Sequence, residues 1–343
     1  MAHSLTPSSR GGAITTALTG AMEQLLSCEV LRVIVYRFLH WKEAARMAAA
    51  TSAQRAWYTL SEVQLWHIRK SSHRHSSALQ RHHRAELLGA LRDEAWLPPE
   101  RVCAALRALA TILGLTESIR PRDRPTTRET MARTVLDVLS RARCPRLTLA
   151  TAEVLAHLAV WRAVPLQDRT VGSLLDAVIA LRGGDLCLHH TVLCVFWNSV
   201  CSRTAVPVAL IQRTGAMFAR VRHIFEAAHP RVGEPGGARV IAKIPHALFA
   251  LSSNMMALTP QEAREASGMA LRCSVALPPR DFAAHRGVYR FFKHLRDDVL
   301  LEVGSPHLVR MVQQVSAQPF LIDDKTLEMH LDAMCVFCRL LRL

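Results

Sequence analysis

The chain has 343 residues and half of them are hydrophobic, which is enough to bury an extensive core and excludes a largely disordered protein. Its 43 Lys and Arg exceed its 28 Asp and Glu, giving a net charge of +15. The excess is nearly all Arg, whose planar guanidinium suits phosphate, so the composition favours a polyanionic partner. A coding sequence rich in G and C, which favours Arg and Ala, would give the same excess. Charge alone does not separate RNA from DNA.

Residues 1–22 contain Arg10, several Ser and Thr, and no acid. This segment weakly resembles an organellar transit peptide, and a flexible polar N-terminus is the alternative. The nine cysteines show no framework of paired spacings, which fits a reducing compartment. No apolar run is long and clean enough to span a membrane, so we expect a soluble protein.

Residues 23–96 form the first predicted region, an N-terminal helical section. Apolar residues recur at helical intervals without Pro or Gly from 23 to 50, which predicts one long helix. The same spacing predicts a second helix over 52–70 and a third over 77–96, which ends before Pro98.

Residues 97–343 form the second region, a predicted array of helical hairpins with a C-terminal cap. Pro and Gly punctuate the helical patterns and mark the hairpin boundaries. The predicted pairs are 99–113 with 127–143, 148–163 with 168–181, 186–202 with 206–228, 240–257 with 260–275, and 280–295 with 306–315, and a helix over 324–343 closes the stack. No alternating pattern typical of strands competes. The prediction is therefore an all-α fold, an irregular α-solenoid of stacked helical hairpins with an N-terminal helical section and a C-terminal capping helix.

One segment of this array shows the plan most clearly. Leu97-Pro-Pro-Glu starts it, Val102, Leu106 and Leu109 recur at helical spacing, and Gly114 ends it. It resembles the first helix of a unit in the organellar helical-repeat proteins, the pentatricopeptide, octotricopeptide and heptatricopeptide classes, and residues 244–252 echo it. The resemblance covers about 97–317 and implies RNA binding or scaffolding in an organellar ribonucleoprotein. Because the fixed period of those families is absent, no base-reading positions are transferred.

Three basic segments are the candidate RNA contacts. The run 67–84 has five histidines and no acid, and basic side chains of this kind can follow a phosphate backbone. An Arg-rich loop and the helix after it form the second segment, and residues 285–296, where cations alternate with Tyr289 and Phe292, form the third. The predicted contacts are Arg69, Lys70, Arg74, Arg81 and Arg84, then Arg120, Arg122, Arg124 and Arg128, then Arg286, Arg290 and Lys293. The alternatives are a solvated loop for the first segment and core aromatics for the third.

Enzyme signatures are missing from the sequence. There is no phosphate-binding glycine loop and no metalloprotease or serine-hydrolase motif, and the Asp297-Asp298 pair fits helix N-capping. Cys335 and Cys338, with His330 upstream, lack the second ligand pair that a zinc site needs. We therefore predict no catalytic residue, no metal and no cofactor.

The sequence as a whole predicts a non-catalytic protein that binds RNA through Arg-rich surfaces. Its expected setting is an organellar ribonucleoprotein, such as a mitochondrial ribosome or RNA-processing complex, together with other protein subunits. The alternative is a protein-interaction scaffold of armadillo or HEAT type, located in the cytoplasm or nucleus. Three basic segments on one face would favour RNA, and scattered segments would favour the scaffold.

Overall fold

The computed structural model describes most of the chain. The described residues are 29–39, 43–44, 46–47, 62–72, 77–93, 98–115, 125–159, 166–201, 208–252, 258–278, 281–303 and 324–342. In these ranges every regular element is a helix, so the prediction of an all-α fold is confirmed. None of these helices is long and apolar enough to cross a bilayer. The chain divides into two compact units, Met1–Ala108 and Leu109–Leu343.

The helices are numbered in chain order. The first four are α1 (Glu29–Phe38), α2 (Glu62–Ser72), α3 (Ser77–Asp93) and α4 (Pro99–Leu115), and the unit boundary falls within α4. The others are α5 (Pro125–Arg141), α6 (Pro145–Ala159), α7 (Asp168–Ala180), α8 (Leu186–Cys201), α9 (Val208–Ile211), α10 (Thr214–Ala228), α11 (Gly237–Ser252), α12 (Pro260–Ala276), α13 (Phe282–Lys293), α14 (Asp297–Val303) and α15 (Asp324–Arg342). A single 3-10 turn, His229–Arg231, follows α10.

In the first unit, the single long helix predicted over 23–50 is wrong, because α1 ends at Phe38 and the chain bends at Leu39. The buried His67 of α2 donates from Nε2 to the carbonyl of Tyr36 at 2.8 Å. The His67 side chain thus bonds to the Tyr36 carbonyl oxygen, which would accept a backbone N–H of the next turn if α1 continued. Tyr36 is itself buried, in a cluster with Ala44 and Val63, which explains why the chain turns back at this point.

The second unit is built from two rows of stacked helices. Row A contains α6, α8, α11, α13 and α15, and row B contains α5, α7, α10, α12 and α14. Each helix packs on the next helix of its own row, and most successive helices of the two rows also pack against each other, as α5 and α6, α7 and α8, α10 and α11, and α11 and α12 do. The predicted stack of hairpins, with the last helix closing the row, is therefore confirmed, and its buried side chains come from both rows.

Two predicted helices of the second unit differ in the structure. The helix predicted over 206–228 is broken at Gln212 and Arg213 into α9 and α10. The second helix of the last hairpin, predicted over 306–315, lies outside the described residues. A seven-residue helix that was not predicted, α14, is the last described helix of row B.

Helix ends in this unit are fixed both locally and by neighbouring helices. Thr259 and Glu262 form a complete capping box at the start of α12. By contrast, α7 has no cap from its own Gln167 side chain, and Glu129 of α5 accepts from the Gln167 backbone N–H at 2.5 Å instead. At the start of α11 a Cβ on Gly237 would lie 2.0 Å from the carbonyl oxygen of Arg231, so only glycine fits there.

Candidate nucleic-acid interface

The first predicted basic segment is only partly on the surface. Lys70 is exposed, with its ammonium 4.6 Å from the ring centroid of Trp66. Arg84 is only 4% exposed, so its prediction as a phosphate contact is wrong for this conformation. Arg74 and the side chains of Arg69 and Arg81 lie outside the described residues. Lys70 is thus the one described contact of this segment that faces solvent.

The second predicted segment contains a structural arginine. Arg120, Arg122 and Arg124 lie outside the described residues. Arg128 is 2% exposed, and its guanidinium donates to the carbonyl of Leu158 in the last turn of α6. Its prediction as a phosphate contact is also wrong, because it satisfies a carbonyl at a helix C-terminus, where a cation is favourable.

The third predicted segment holds the capping helix in place. Arg290 lies 3.2 Å from Asp332 and 3.3 Å from Glu328 of α15, and Lys293 lies 2.7 Å from Asp332. Arg286 pairs with the same Glu328. These three cations are therefore bound to carboxylates of the same chain. Their aromatic neighbours Tyr289 and Phe292 are buried, as the alternative interpretation of this segment expects.

Another α15 residue completes this junction. Arg339 donates to the carbonyl of Lys293 at 2.6 Å and to that of Leu295 at 2.7 Å, which caps the C-terminus of α13. It also pairs with Asp297 at the start of α14. The α13–α15 junction, defined by Arg286, Arg290, Lys293, Glu328, Asp332 and Arg339, is an intramolecular clamp.

A different set of side chains on row A combines rings with cations. The aromatic–basic strip consists of Trp197 on α8, of Arg239, Lys243, His246 and Phe249 on α11, and of His294 just after α13. Trp197 lies 5.0 Å from His246 and 5.6 Å from Phe249 between ring centroids, and Phe249 lies 5.0 Å from His294. All four rings are half-buried or exposed. The strip thus presents a series of adjacent rings across three helices.

The cations of the strip are placed beside these rings. Lys243 lies with its ammonium 5.4 Å from the Trp197 ring centroid, and Arg239 is exposed one turn earlier on the same helix. Neither has an ion-pair partner among the described residues. The reason lies in composition, because the sequences of α8, α11 and α13 contain no Asp or Glu at all.

The electrostatics of the strip extend to the side chains next to it on α8. Burial lowers the pKa of His190 below its ordinary value, and Arg239 and Lys243 lower it further. Burial also raises the pKa of Cys194, whose sulfur is 3.8 Å from Nδ1 of His190. The histidine is neutral and the thiol protonated near neutral pH, so the charge here comes from Arg239 and Lys243.

The sequence holds a signal for this strip. Arg239, Lys243, His246 and Phe249 follow one another by four, three and three residues, which places them on one helix face. Their apolar neighbours form the opposite, buried face of α11. Packing also matters, because a Cβ on Gly287 of α13 would be 3.0 Å from the His246 ring, so α13 approaches α11 closely here.

Among the described residues no group of three or more His, Cys, Asp or Glu side chains could hold a metal ion.

Comparisons with known proteins add one structural likeness. No family model and no curated protein matches the chain. Among solved structures, a designed armadillo repeat protein matches with a TM-score of 0.48 and 10% sequence identity, over 74% of this chain and 99% of that one.

Proposed function

We propose that this helical-repeat protein binds single-stranded RNA, without catalysis, through the aromatic–basic strip. The observation that carries the proposal is the series of adjacent rings beside two cations that have no carboxylate partner among the described residues. A single strand is held by stacking of bases on rings and by cations along its backbone, and the strip offers both.

The proposal specifies the kind of binding. Stacking on an aromatic side chain contributes about 1–3 kcal/mol per base and tolerates every base, so we expect little sequence preference. Each phosphate contact adds about 0.7 to the slope of log affinity against log salt for a single strand. Arg239 and Lys243 should therefore account for about 1.4 of that slope.

The test is a fluorescence anisotropy titration of the whole chain. The probe is an oligouridine of about 20 nucleotides with a 5′-hydroxyl end and a 3′-fluorophore, measured from about 50 to about 300 mM salt. We expect the Arg239→Ala/Lys243→Ala variant to bind more weakly and to lose about 1.4 from the salt slope.

The matched control is Arg141→Ala/Arg222→Ala, which removes the same two charges from side chains paired with Asp137 and Glu265. We expect its salt slope to match that of the unaltered chain. If both double variants lose the same affinity and the same salt slope, RNA binding depends only on net charge, which contradicts binding at the aromatic–basic strip. No binding of RNA by the unaltered chain would also contradict the proposal.

The organellar setting implied by the helical-repeat resemblance belongs to this proposal. Crosslinking in cells expressing the tagged chain, followed by sequencing of the attached RNA, tests it. Recovery of organellar ribosomal or messenger RNA supports that setting, and recovery of cytoplasmic or nuclear RNA alone contradicts it.

A second candidate function, a protein-interaction subunit, is favoured by the outer face of α15. Leu327, Leu331 and Met334 recur by four and three residues and are exposed, Leu331 to 59%. Such an apolar stripe is typical of a surface that a partner covers. Replacing Leu327 and Leu331 by Ser should release the chain from a large assembly in size fractionation of cell extracts. The exposed Val275→Ser serves as the control, and unchanged fractionation of both variants contradicts this candidate.

A further inference from the structure

Arg220 of α10 is a buried cation with no hydrogen-bond partner in the part of the chain that the structure describes. It is 4% exposed, and its Nε, Nη1 and Nη2 atoms are all buried without any hydrogen bond. A guanidinium stays charged under all ordinary conditions, and an unpaired buried charge is strongly unfavourable. The chain therefore keeps five unsatisfied N–H donors in a place where an anion would be stabilised.

The surroundings of Arg220 add positive charge to this place. Burial lowers the pKa of Arg220, and Arg182, which follows α7, lowers it further. Burial is also the main cause of a lowered pKa at His189 of α8, with Arg220, His223 and Arg231 adding to it. The rings of His189 and His223 lie 6.5 Å apart. Three basic side chains thus act on His189, and Arg182 acts on Arg220.

The nearby carboxylates are engaged elsewhere. Asp185 accepts from the backbone N–H of Cys187 at 2.7 Å, and Glu234 accepts from Arg231 at 2.8 Å. Asp176 holds Arg213 through two contacts of 2.7 Å. No carboxylate of the described residues forms an ion pair with Arg220. Among the described residues Arg220 thus has no counter-charge, and a bound anion would supply one.

His189 shows which oxyanion would fit. Its Nε2 lies 2.8 Å from the carbonyl oxygen of Gly183, and because a carbonyl only accepts, Nε2 carries the proton. In the neutral ring Nδ1 is then an acceptor, and this buried atom has no donor. The place thus offers donors from Arg220 and an acceptor from His189. Hydrogen phosphate can match both, and a phosphate monoester can do so in its monoanionic form, which carries a P–OH, whereas sulfate and carboxylates carry no donor at neutral pH.

The loop between α7 and α8, residues 181–185, adjoins His189. The Gly183 carbonyl accepts from His189, and the Gly184 carbonyl accepts from Arg231 at 2.6 Å. Gly183 has a φ of +137°, which favours glycine, and a Cβ on Gly184 would meet nothing within 4 Å. The loop is thus tied to His189 and to Arg231 through two of its backbone carbonyls.

We propose that Arg220 and His189, with Arg182 at the rim, form a site for hydrogen phosphate or a phosphate monoester beside the loop 181–185. Arg220 would donate to two phosphate oxygens, and Nδ1 of His189 would accept from the P–OH group. The site would not bind the RNA groups that the aromatic–basic strip binds, because the internal phosphodiesters along an RNA strand have no P–OH. Inorganic phosphate and a phosphorylated RNA end remain the two sources of this chemistry.

The experiment compares the melting temperature of the whole chain in potassium phosphate, sulfate and acetate at equal ionic strength. We expect phosphate to raise the melting temperature more than sulfate, and acetate to have no effect. Broadening of the ³¹P signal of inorganic phosphate on adding protein gives a second readout of binding. Equal melting temperatures in all three salts, with no broadening, would overturn the proposal.

Two variants locate the site. Arg220→Met should abolish both readouts, and it should still fold because replacing an unpaired buried charge by an apolar side chain is often stabilising. His189→Leu removes the Nδ1 acceptor together with the donor to the Gly183 carbonyl, so the preference for phosphate over sulfate should fall to about one. The control is Arg222→Met, on the same helix but exposed and paired with Glu265, which should keep the full response. A full response in Arg220→Met would overturn the proposal.

The source of the phosphate is settled by comparing oligouridines with 5′-phosphate and 5′-hydroxyl ends. Tighter binding of the phosphorylated end, lost in Arg220→Met, assigns the site to an RNA terminus. Equal binding of both ends, with the inorganic phosphate response intact, assigns it to a small phosphate. Binding of 5′-hydroxyl RNA to Arg220→Met should match the unaltered chain, so failure of this site and failure of the strip are distinguishable.

Discussion

The α13–α15 junction and the aromatic–basic strip use similar cations on neighbouring helices of row A for opposite purposes. At the junction, Glu328 and Asp332 of α15 meet the basic face of α13 at ion-pair distance. In the strip, the helix facing Arg239 and Lys243 is α8, which offers Trp197 and contains no acid. The neighbour therefore decides whether a cation is used for stability or left available for a ligand.

This difference has a physical basis in burial. The Asp332 side chain is only 8% exposed, so its charge needs the cations of α13 as much as they need it. Arg239 is exposed and loses little by remaining unpaired in water. A basic run in a sequence is therefore no guide to binding until the facing helix is known.

The largest effect should come from breaking the junction. Asp332→Ala leaves Arg290 and Lys293 without their shared carboxylate, and because these cations are partly exposed we expect a loss of about 2 kcal/mol in the free energy of unfolding. Urea denaturation measures it. Asp137→Ala, which removes the exposed partner of Arg141, should cause a much smaller loss. Equal stability of both variants would show that the clamp is not a stabilising feature.

The next effect concerns the rings of the strip. Trp197→Ala should weaken binding of oligouridine about tenfold, because one stacked base contributes about 1–3 kcal/mol. Trp197→Phe should recover part of the affinity, since a smaller ring still stacks. Trp66→Ala removes the half-buried ring beside Lys70 and should leave the affinity unchanged. If Trp66→Ala weakens oligouridine binding more than Trp197→Ala does, the RNA site lies in the first unit.

A smaller effect concerns the pH dependence of the strip. The pKa of His190 in the folded chain lies below its ordinary value, so the unfolded chain takes up a proton first as the pH falls below about 6.5. His190 therefore lowers the stability at acidic pH and has no such effect above neutrality. NMR titration should show its pKa rising in Arg239→Ala/Lys243→Ala, because both cations disfavour its protonated form. An unchanged pKa would mean that the two cations do not act at the strip.

Much of the fold could be predicted from the sequence because its signals are local. Thr259, Pro260 and Glu262 mark the start of α12 in four residues, and the structure begins the helix at Pro260. The break after Phe38 could not be predicted, because it depends on His67 of another helix. The same holds for α7, which Glu129 caps from a distance of 38 residues.

The functional side chains likewise divide into those with a local sequence signal and those whose role depends on distant residues. Arg128 and Arg290 look alike in the sequence, but one is used by a helix C-terminus and the other by carboxylates 38 and 42 residues away. The strip was open to prediction, because three acid-free helices with a regular row of basic and aromatic residues are visible in the sequence. Dense basic runs point elsewhere, and among their described residues Arg128 is used at a helix end and the three cations of α13 at the α13–α15 junction.

The smallest effect tests how closely α13 must approach the strip. Gly287→Ala places a methyl group 3.0 Å from the His246 ring, so the ring must shift by a few tenths of an ångström. We expect a cost below about 1 kcal/mol in the free energy of unfolding, because an overpacked contact can relax when one neighbour is a side chain at a half-exposed position. The shifted His246 would also move relative to Trp197, which it contacts at 5.0 Å, so RNA affinity should fall slightly more than stability predicts. Gly268→Ala, inside α12 with open space at its Cβ, is the matched control: it should raise stability by up to about 1 kcal/mol, the ordinary gain of Ala over Gly in a helix, and leave RNA affinity unchanged. If Gly287→Ala lowers stability without changing RNA affinity, the ring series is a packing feature, and binding then depends on Arg239 and Lys243 alone.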